Sequence, residues 1–307
     1  MPILPPQLRP GDTIGIVTLG SPLEASRINE GIATLESLGF KVIIGESTYA
    51  STGFLAGPPE DRAADLMRMF ENEEVRCILP TRGGVGVAAI LPYLNFPVIR
   101  DHPKIISGYS DITVLLNVLY EYADLLTFHS LLLLDFNNRT RAYNFNQFFG
   151  ATSAVTAPWQ ILNPPGMPLV RKVSGIATGP VVGGNLTSFI DTIGTPYEIN
   201  TEGKILLLED THEPINTVYR YINHLKLAGK LDDCIGILMG ECFNCEPAYG
   251  VTYNELIDEI LVPLGKPLIS NLATGHGPLK AAIPIGARVT MNTENLTLTV
   301  LEPAVTV

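Results

Sequence analysis

The chain has 307 residues, which is long for one hydrophobic core and enough for two domains of ordinary size. Apolar residues make up 46% of it and charged residues 17%, which is typical of a packed globular protein rather than a disordered one. With 20 basic and 31 acidic residues the net charge is −11, which argues against nucleic acid or an anionic membrane as a partner. The N-terminal segment has no basic region followed by an apolar run, so we expect no signal peptide and a cytoplasmic protein.

The first half of the chain alternates short apolar strands with amphipathic helices. The predicted strands are Thr13–Thr18, Phe40–Ile44, Val75–Leu79 and Ile105–Ser107. The predicted helices are Ser26–Leu38, Pro59–Phe70 and Val87–Leu94. Alternation with short links predicts a parallel sheet covered on both faces, as in a Rossmann-like α/β domain. Ligands of such sheets bind at the carboxyl ends of the strands.

The composition changes between about residues 138 and 168, where Asn, aromatic residues and Pro are frequent and no period is visible. We therefore expect an N-terminal α/β domain at 1–150, a linker at 151–174 and a smaller, mixed α/β domain at 175–307. The second domain is predicted to contain the strands Lys204–Leu208 and Ile235–Met239, the helices Asn216–Leu227 and Tyr253–Leu261, and a hairpin of Val289–Asn292 and Leu296–Leu301.

The segment Lys104–Thr113 is predicted to form a strand, a sharp turn and a helix, with Ser110 at the turn. The backbone N–H groups that open the helix would point toward the serine hydroxyl and could stabilise an oxyanion. This is the logic of a nucleophile elbow, although Ile112 replaces the last glycine of the lipase-type G-x-S-x-G motif. The commoner alternative for such a stretch is that Ser110 or Asp111 only caps the helix.

A glycine-rich loop, Thr81–Gly86, follows the third predicted strand and should lie at the same sheet edge as Ser110. A free backbone N–H near Gly83 or Gly84 could complete an oxyanion hole. The competing interpretation is a dinucleotide-binding Rossmann protein, because residues 84–89 match G-x-G-x-x-A after a strand. That fingerprint usually belongs to the first βαβ unit, and no acidic residue closes the next strand at the expected place.

A serine nucleophile needs a base, and the base needs an orienting acid. Among the five histidines, His276 lies in a glycine-flanked loop after a short apolar strand, where an imidazole could be reached. His102 is expected at the surface and His224 on a helix face. Glu209 ends an unusually apolar strand, so its carboxylate should lie at a carboxyl end. A salt-bridging or helix-capping role for Glu209 remains open at this point.

The four cysteines indicate no metal centre. Cys77 lies in an apolar run and is expected to be buried in the core. Cys242 and Cys245 form a C-x-x-C, which could suggest a metal or redox pair. No second pair follows at a zinc-finger spacing, and we expect two reduced thiols near a strand end.

Taken together, motifs along nearly the whole chain resemble the murein tetrapeptide LD-carboxypeptidase family, which also contains the microcin C immunity proteases. Each motif is weak alone, but all of them in this order are highly specific. They are Leu8-Arg9-Pro10-Gly11-Asp12, Phe54-Leu55-Ala56-Gly57, Thr81-Arg82-Gly83-Gly84, Gly108-Tyr109-Ser110-Asp111-Ile112-Thr113, Gly183-Gly184-Asn185-Leu186, Gly194-Thr195-Pro196, Leu208-Glu209-Asp210 and Gly275-His276.

The resemblance implies a Ser-Glu-His triad of Ser110, Glu209 and His276, with Glu213 a nearby but less well matched acid. It implies an oxyanion hole of backbone N–H groups at Asp111 and at Gly83 and Gly84. The implied activity is release of the terminal D-alanine from cytoplasmic muropeptide tetrapeptides during cell-wall recycling, without a metal or organic cofactor. A microcin-immunity-type protease that cleaves peptidyl or aminoacyl nucleotides is the alternative within the family.

Two departures from the family pattern lie near the expected substrate position. Val85 stands where an aromatic residue usually follows the two glycines, and His129-Ser130-Leu131 stands where His-Gly-Pro is usual. Arg82 is predicted to hold a substrate carboxylate, with a structural arginine as the alternative, and Asn185 is predicted to contact substrate. A homodimer is common in the family, so a second copy of the chain is a possible partner.

Overall fold

The computed structural model describes residues 2–307, which fold around two β-sheets. The strands are β1 Thr13–Val17, β2 Lys41–Ile44, β3 Val75–Pro80, β4 Ile105–Gly108, β5 Thr127–His129, β6 Trp159–Gln160, β7 Val170–Val173, β8 Ile176–Asn185, β9 Ile205–Thr211, β10 Gly236–Phe243, β11 Leu268–Leu272, β12 Ile283–Ile285, β13 Arg288–Asn292 and β14 Thr297–Val300. The α-helices are α1 Ala25–Ser37, α2 Pro59–Glu71, α3 Phe96–Asp101, α4 Ile112–Ala123, α5 Ala142–Ser153, α6 Leu186–Ile190, α7 Ile215–Leu227, α8 Lys230–Asp233 and α9 Tyr253–Leu256.

The first sheet has six strands in the order β12-β5-β4-β3-β1-β2. Strands β1 to β5 pair in parallel, and only the edge strand β12 runs antiparallel to its neighbour. Every residue of β1 and β4 is buried, as expected for central strands covered on both faces. The predicted parallel α/β domain is therefore confirmed.

The second sheet has eight strands in the order β6-β14-β13-β8-β9-β10-β11-β7. Its centre, β8 to β11, is parallel, and the outer strands are antiparallel. The predicted C-terminal hairpin is present as β13 and β14. A mixed α/β second unit was expected, and the sheet agrees with it.

Three strands do not follow the expected division of the chain. The stretch 151–174 was expected to be a linker, but β6 and β7 lie in it and form the two edges of the second sheet. Strand β12 comes from the C-terminal half and pairs with β5 of the first sheet. The two sheets are thus linked by a strand from the C-terminal half that belongs to the first sheet.

Two elements near the glycine-rich loop differ from expectation. Residues 87–94 were predicted to form an α-helix, but Ala88–Tyr93 is a 3-10 helix that contains Pro92. Proline lacks the N–H that an α-helix interior needs, so a regular helix cannot continue there. The short helix α3 follows and was not predicted.

No helix among residues 2–307 has the length and apolar character needed to cross a bilayer.

Two of the four cysteines are free and buried, and the other two form a disulfide. Cys77 is fully buried in β3, as predicted, and Cys234 is a second buried free thiol. Cys242 and Cys245 are joined by a disulfide at the end of β10, so the expectation of two reduced thiols was wrong. The strand extends to residue 243, further than predicted, and its turn back brings the two sulfur atoms together.

Candidate active site

The turn between β4 and α4 holds Ser110 in an uncommon conformation. Its φ is 63°, in the left-handed region that few residues other than glycine adopt. Gly108, two residues earlier, is closely packed as well, because a Cβ there would lie 2.8 Å from the side chain of Ile112. Strained backbone of this kind persists where the surrounding structure enforces it, and it is concentrated at functional sites. The half-buried Ser110 therefore has the local geometry of a nucleophile elbow.

Asp111 stands at the N-cap position of α4, but its side chain makes no capping hydrogen bond. Its carboxylate instead accepts hydrogen bonds from the Val87 backbone N–H at 2.8 Å and from the Ser188 hydroxyl at 3.3 Å. Burial raises the pKa of Asp111 above its usual range, and these hydrogen bonds oppose that rise. The residue ties the elbow to the glycine-rich loop and to α6, so the simple capping alternative does not describe this turn.

The glycine-rich loop lies directly against the elbow. A Cβ on Gly83 would lie 2.6 Å from the Ser110 Cβ and 2.8 Å from the Asp111 nitrogen. Gly84 has a φ of +87°, and a Cβ there would meet the Ser21 side chain at 2.3 Å. Only glycine fits at either position, and the fit brings the loop backbone to the serine hydroxyl.

The same loop lacks the setting of a dinucleotide-binding fingerprint. That motif places a pyrophosphate at the free N-terminus of an α-helix. Here the loop leads into a 3-10 helix of six residues, and the Val87 N–H at its start is already bonded to Asp111. The G-x-G-x-x-A match therefore reflects close packing of the loop on the elbow.

Glu209 and His276 meet on the second sheet. The carboxylate Oε2 of Glu209 accepts a 2.9 Å hydrogen bond from the His276 ring Nδ1 and a 3.3 Å bond from its backbone N–H. Gly275 permits this approach, because a Cβ there would lie 2.1 Å from the same oxygen. Burial acts to raise the pKa of Glu209, but the charge and hydrogen bonds of His276 outweigh it and lower the pKa overall. Glu213 is half-buried beyond the end of β9 and makes no contact of this kind with His276.

The Tyr109 ring connects the two halves of the site. It packs edge-on against the His276 ring, with the ring centres 5.0 Å apart and the planes at 87°. Because Tyr109 directly precedes Ser110, this contact places the imidazole beside the elbow. Within residues 2–307 the Ser110 hydroxyl makes no hydrogen bond to His276, and a bond that tightens only on substrate binding is common in such sites.

Buried polar groups near the site were missed by sequence reasoning. The side chain of Lys280 is only 6% exposed, and its Nζ lies 4.7 Å from the centre of the Tyr109 ring. Asp135 is buried as well and accepts a 3.3 Å hydrogen bond from the Tyr109 hydroxyl. A lone lysine in the apolar run Leu279-Lys280-Ala281-Ala282, four residues after His276, was the signal that could have identified it.

The segment His129-Ser130 is buried and does not line an open pocket. Both ring nitrogens of His129, the Ser130 hydroxyl and the Glu209 Oε1 lack hydrogen-bond partners among residues 2–307. Burial lowers the pKa of His129 to about 4, although the nearby Glu209 carboxylate acts in the other direction. The departures from the family pattern at Ser130 and Leu131 therefore lie in the interior rather than on an open surface.

The two residues predicted to contact substrate are placed differently from each other. Arg82 is half-buried beside Gly83 and makes no side-chain hydrogen bond or ion pair within residues 2–307, so it remains a candidate. Asn185 is 5% exposed, and its side chain accepts a bond from the Ser188 N–H and donates one to Asp210. Both ends of the Asn185 amide are therefore hydrogen-bonded within the protein, at the start of α6.

An α/β fold that sets a serine elbow beside a carboxylate–imidazole pair is an arrangement typical of hydrolases. A model described as the LD-carboxypeptidase N-terminal domain matches residues 14–130, and one described as the LD-carboxypeptidase C-terminal domain matches residues 178–291. The chain belongs to the LD-carboxypeptidase family, as the sequence motifs predicted, and is a peptidase.

Individual relatives agree with this assignment. The chain is 36% identical to a probable murein peptide carboxypeptidase of Bacillus subtilis over 95% of this chain and 92% of the relative. It is 27% identical to the microcin C7 self-immunity protein MccF of Escherichia coli, over 98% and 96% of the two chains. A solved structure of MccF in complex with glutamyl sulfamoyl guanosine matches with a TM-score of 0.93, at 24% identity and over 99% and 100% of the two chains, which shows the shared fold.

Proposed function

We propose that the chain is a serine carboxypeptidase that hydrolyses an L,D peptide bond and releases the terminal D-alanine from muropeptide tetrapeptides in the cytoplasm. The observation that carries this proposal is the hydrogen-bonded pair of Glu209 and His276 beside the Ser110 elbow. The 36% identity to a probable murein peptide carboxypeptidase supports the substrate class.

In the proposed mechanism, each side chain has one task. With Nδ1 of His276 bonded to Glu209, the ring's other nitrogen is free to accept the Ser110 proton. Ser110 then attacks the carbonyl carbon, and Glu209 stabilises the imidazolium that forms. His276 next donates its proton to the leaving D-alanine amine, and water hydrolyses the acyl-enzyme by the same route in reverse.

The developing oxyanion needs donors that are already in position. The backbone N–H of Asp111 and the backbone around Gly83 and Gly84 are the proposed donors. Their support is the close approach of Gly83 to both the Ser110 hydroxyl and the Asp111 nitrogen, 2.8 Å from a Cβ position in each case. A side chain at position 83 would fill the space that the carbonyl oxygen of the substrate needs.

The second candidate is a microcin-immunity-type activity on peptidyl or aminoacyl nucleotides, favoured by the relation to MccF. A nucleobase would need an aromatic platform. The loop position where one would be expected carries the half-exposed Val85, which disfavours this candidate.

A single assay separates the two candidates. The purified protein is offered a diaminopimelate or L-lysine tetrapeptide and, in parallel, a peptidyl-adenylate analogue, and release of D-alanine or of the nucleotide is measured. The proposal expects tetrapeptide hydrolysis with a kcat/KM at least about 100-fold higher than for the nucleotide conjugate, a difference of roughly 3 kcal/mol in transition-state stabilisation. A higher kcat/KM for the nucleotide conjugate would refute the proposal and support the immunity-type activity.

A further inference from the structure

A cavity of about 740 Å³ opens beside the loop that carries His276. Its charged lining side chains are the basic Arg27, Arg139, Arg141 and Lys280 and the acidic Glu30 and Asp135. Four basic groups against two acidic ones form a positive site in a chain whose net charge is −11. A local reversal of sign concentrates anions at that place.

The cavity adjoins the candidate catalytic residues. Pro278 and Lys280, which line it, follow His276 in the same loop. The Tyr109 ring contacts both the His276 ring and the Lys280 ammonium, which lies 4.7 Å from the ring centre. A group bound at Lys280 would therefore lie close to the same aromatic ring that contacts the imidazole.

Lys280 has hydrogen-bonding capacity that the protein does not use. Its ammonium donates to the Gly277 carbonyl at 2.5 Å, and its distance of 3.9 Å to the Asp135 carboxylate is too long for a hydrogen bond. An ammonium has three donors, so two lack partners among residues 2–307. Burial lowers the pKa of Lys280, whereas nearby carboxylates, Asp135 first among them, act to raise it. Unsatisfied buried donors are costly, and an anion in the cavity would satisfy them.

The rim of the cavity supplies further cations. Arg27 and Arg141 are exposed, and neither takes part in an ion pair within residues 2–307. Arg139 differs, because it pairs with Glu30 at 3.3 Å. A guanidinium can bind a carboxylate through two parallel hydrogen bonds, so the two unpaired arginines suit this ligand.

We propose that this cavity is a carboxylate-binding subsite, with Lys280 at its floor and Arg27 and Arg141 at its rim. The inference rests on the proposed function, because a carboxypeptidase must distinguish a free terminal carboxylate from an internal peptide bond. The carboxylate could belong to the terminal D-alanine or to an acidic residue earlier in the peptide. The competing role for Lys280 is to balance the buried Asp135 charge without touching substrate.

The test compares three tetrapeptides: the free acid, its C-terminal amide, and a peptide amidated at its internal carboxylates. Each is assayed with the wild type, with Lys280→Met and with the double variant Arg27→Gln, Arg141→Gln. Lys280→Met should lower kcat/KM for the free acid about 10- to 100-fold, since a hydrogen bond to a charged group contributes about 1.5–3 kcal/mol. For the peptide that lacks the recognised carboxylate, Lys280→Met should change kcat/KM less than about 3-fold. If that peptide is the C-terminal amide, the carboxylate belongs to the terminal D-alanine; if it is the internally amidated peptide, the carboxylate belongs to an earlier residue. Arg220→Gln, an exposed arginine of α7 that does not line the cavity, is the matched control.

Equal losses on all three peptides would show that Lys280 is only structural and would overturn the proposal. If Lys280→Met does not fold, the surface double variant decides by the same comparison. Calorimetry with Ser110→Ala separates this inference from the proposed function, because it measures binding without turnover. Tighter binding of the acid than of its amides, lost with the rim arginines, would support the subsite even if the wild type hydrolysed no tetrapeptide. Equal binding of acid and amides would refute it.

Discussion

Glu209 holds His276 by two hydrogen bonds to a single oxygen, one from the ring at 2.9 Å and one from the backbone at 3.3 Å. The pair is built from the end of β9 and from the loop after β11, two segments that are 67 residues apart in the chain. Since Glu209 is 1% exposed, its charge acts on the imidazole with little screening by water. This relationship fixes the orientation of the ring.

Replacement of Glu209 tests that relationship directly. Glu209→Gln keeps the shape but removes the charge, so kcat should fall roughly 10²- to 10⁴-fold, as expected when the orienting acid of a triad is neutralised. The melting temperature should change little, because the substitution affects catalysis far more than stability. Glu213→Gln is the matched control, and steady-state kinetics should show less than about a 3-fold change for it. A larger effect at Glu213 than at Glu209 would contradict the assignment.

Substitution of Ser110 separates chemistry from backbone strain. Ser110→Ala and Ser110→Gly should both reduce hydrolysis to background, because neither retains a nucleophile. With φ at 63°, glycine should be more stable than alanine by about 1 kcal/mol in denaturant unfolding. Treatment of the wild type with EDTA should leave its rate unchanged.

The same variant addresses the dinucleotide alternative. A Rossmann protein would bind NAD whether or not Ser110 is present, and calorimetry would detect it. We expect no NAD binding to either form. A pyrophosphate would need the Val87 N–H, which already donates a hydrogen bond to the Asp111 carboxylate. Activity that survived Ser110→Ala, or that was lost on chelation, would exclude the serine mechanism.

Gly83 should tolerate no side chain. In Gly83→Ala the new methyl group would lie 2.6 Å from the Ser110 Cβ and 2.8 Å from the Asp111 nitrogen, so the elbow must move. Loss of one oxyanion donor typically lowers kcat 10²- to 10³-fold, and we expect a fall of about that size. Gly150→Ala is the control, since a Cβ there meets nothing within 4 Å and the residue lies in α5. A fully active Gly83→Ala enzyme would place the oxyanion elsewhere.

The buried His129 should make the fold sensitive to acid. Its folded pKa of about 4 is lower than its usual value of 6.5, so the unfolded chain binds more protons between these two values. The contribution of His129 to the free energy of unfolding is therefore complete above pH 6.5 and is lost as the pH falls toward 4. The shift implies a loss on the order of 3 kcal/mol.

This dependence has to be measured as a difference. Burial raises the pKa of Asp210 to about 6, which stabilises the fold as the pH falls through that value and partly masks the effect of His129. Denaturant unfolding of the wild type and of His129→Leu at pH 7 and pH 4.5 isolates the histidine. The wild type should lose more stability than the variant, and equal losses would show that His129 does not titrate as described.

Local patterns in the sequence determined much of the fold. Apolar runs bounded by turn residues predicted β1 to β4, and the amphipathic segments predicted α1, α2 and α7 to within about two residues. A β-branched run that ends at Gly108, followed by an apolar helical period from Ile112, indicated the elbow at Ser110. These features depend on neighbours a few residues apart, which a single sequence records.

Only the tertiary structure decided which distant groups meet. It paired His276 with Glu209 rather than Glu213, placed β12 in the first sheet, and brought the cations of the cavity together. It also joined Cys242 to Cys245, where the sequence had predicted two reduced thiols. The physical reason is that most of these contacts join residues far apart in the chain, and their packing is a property of the whole core rather than of any local period.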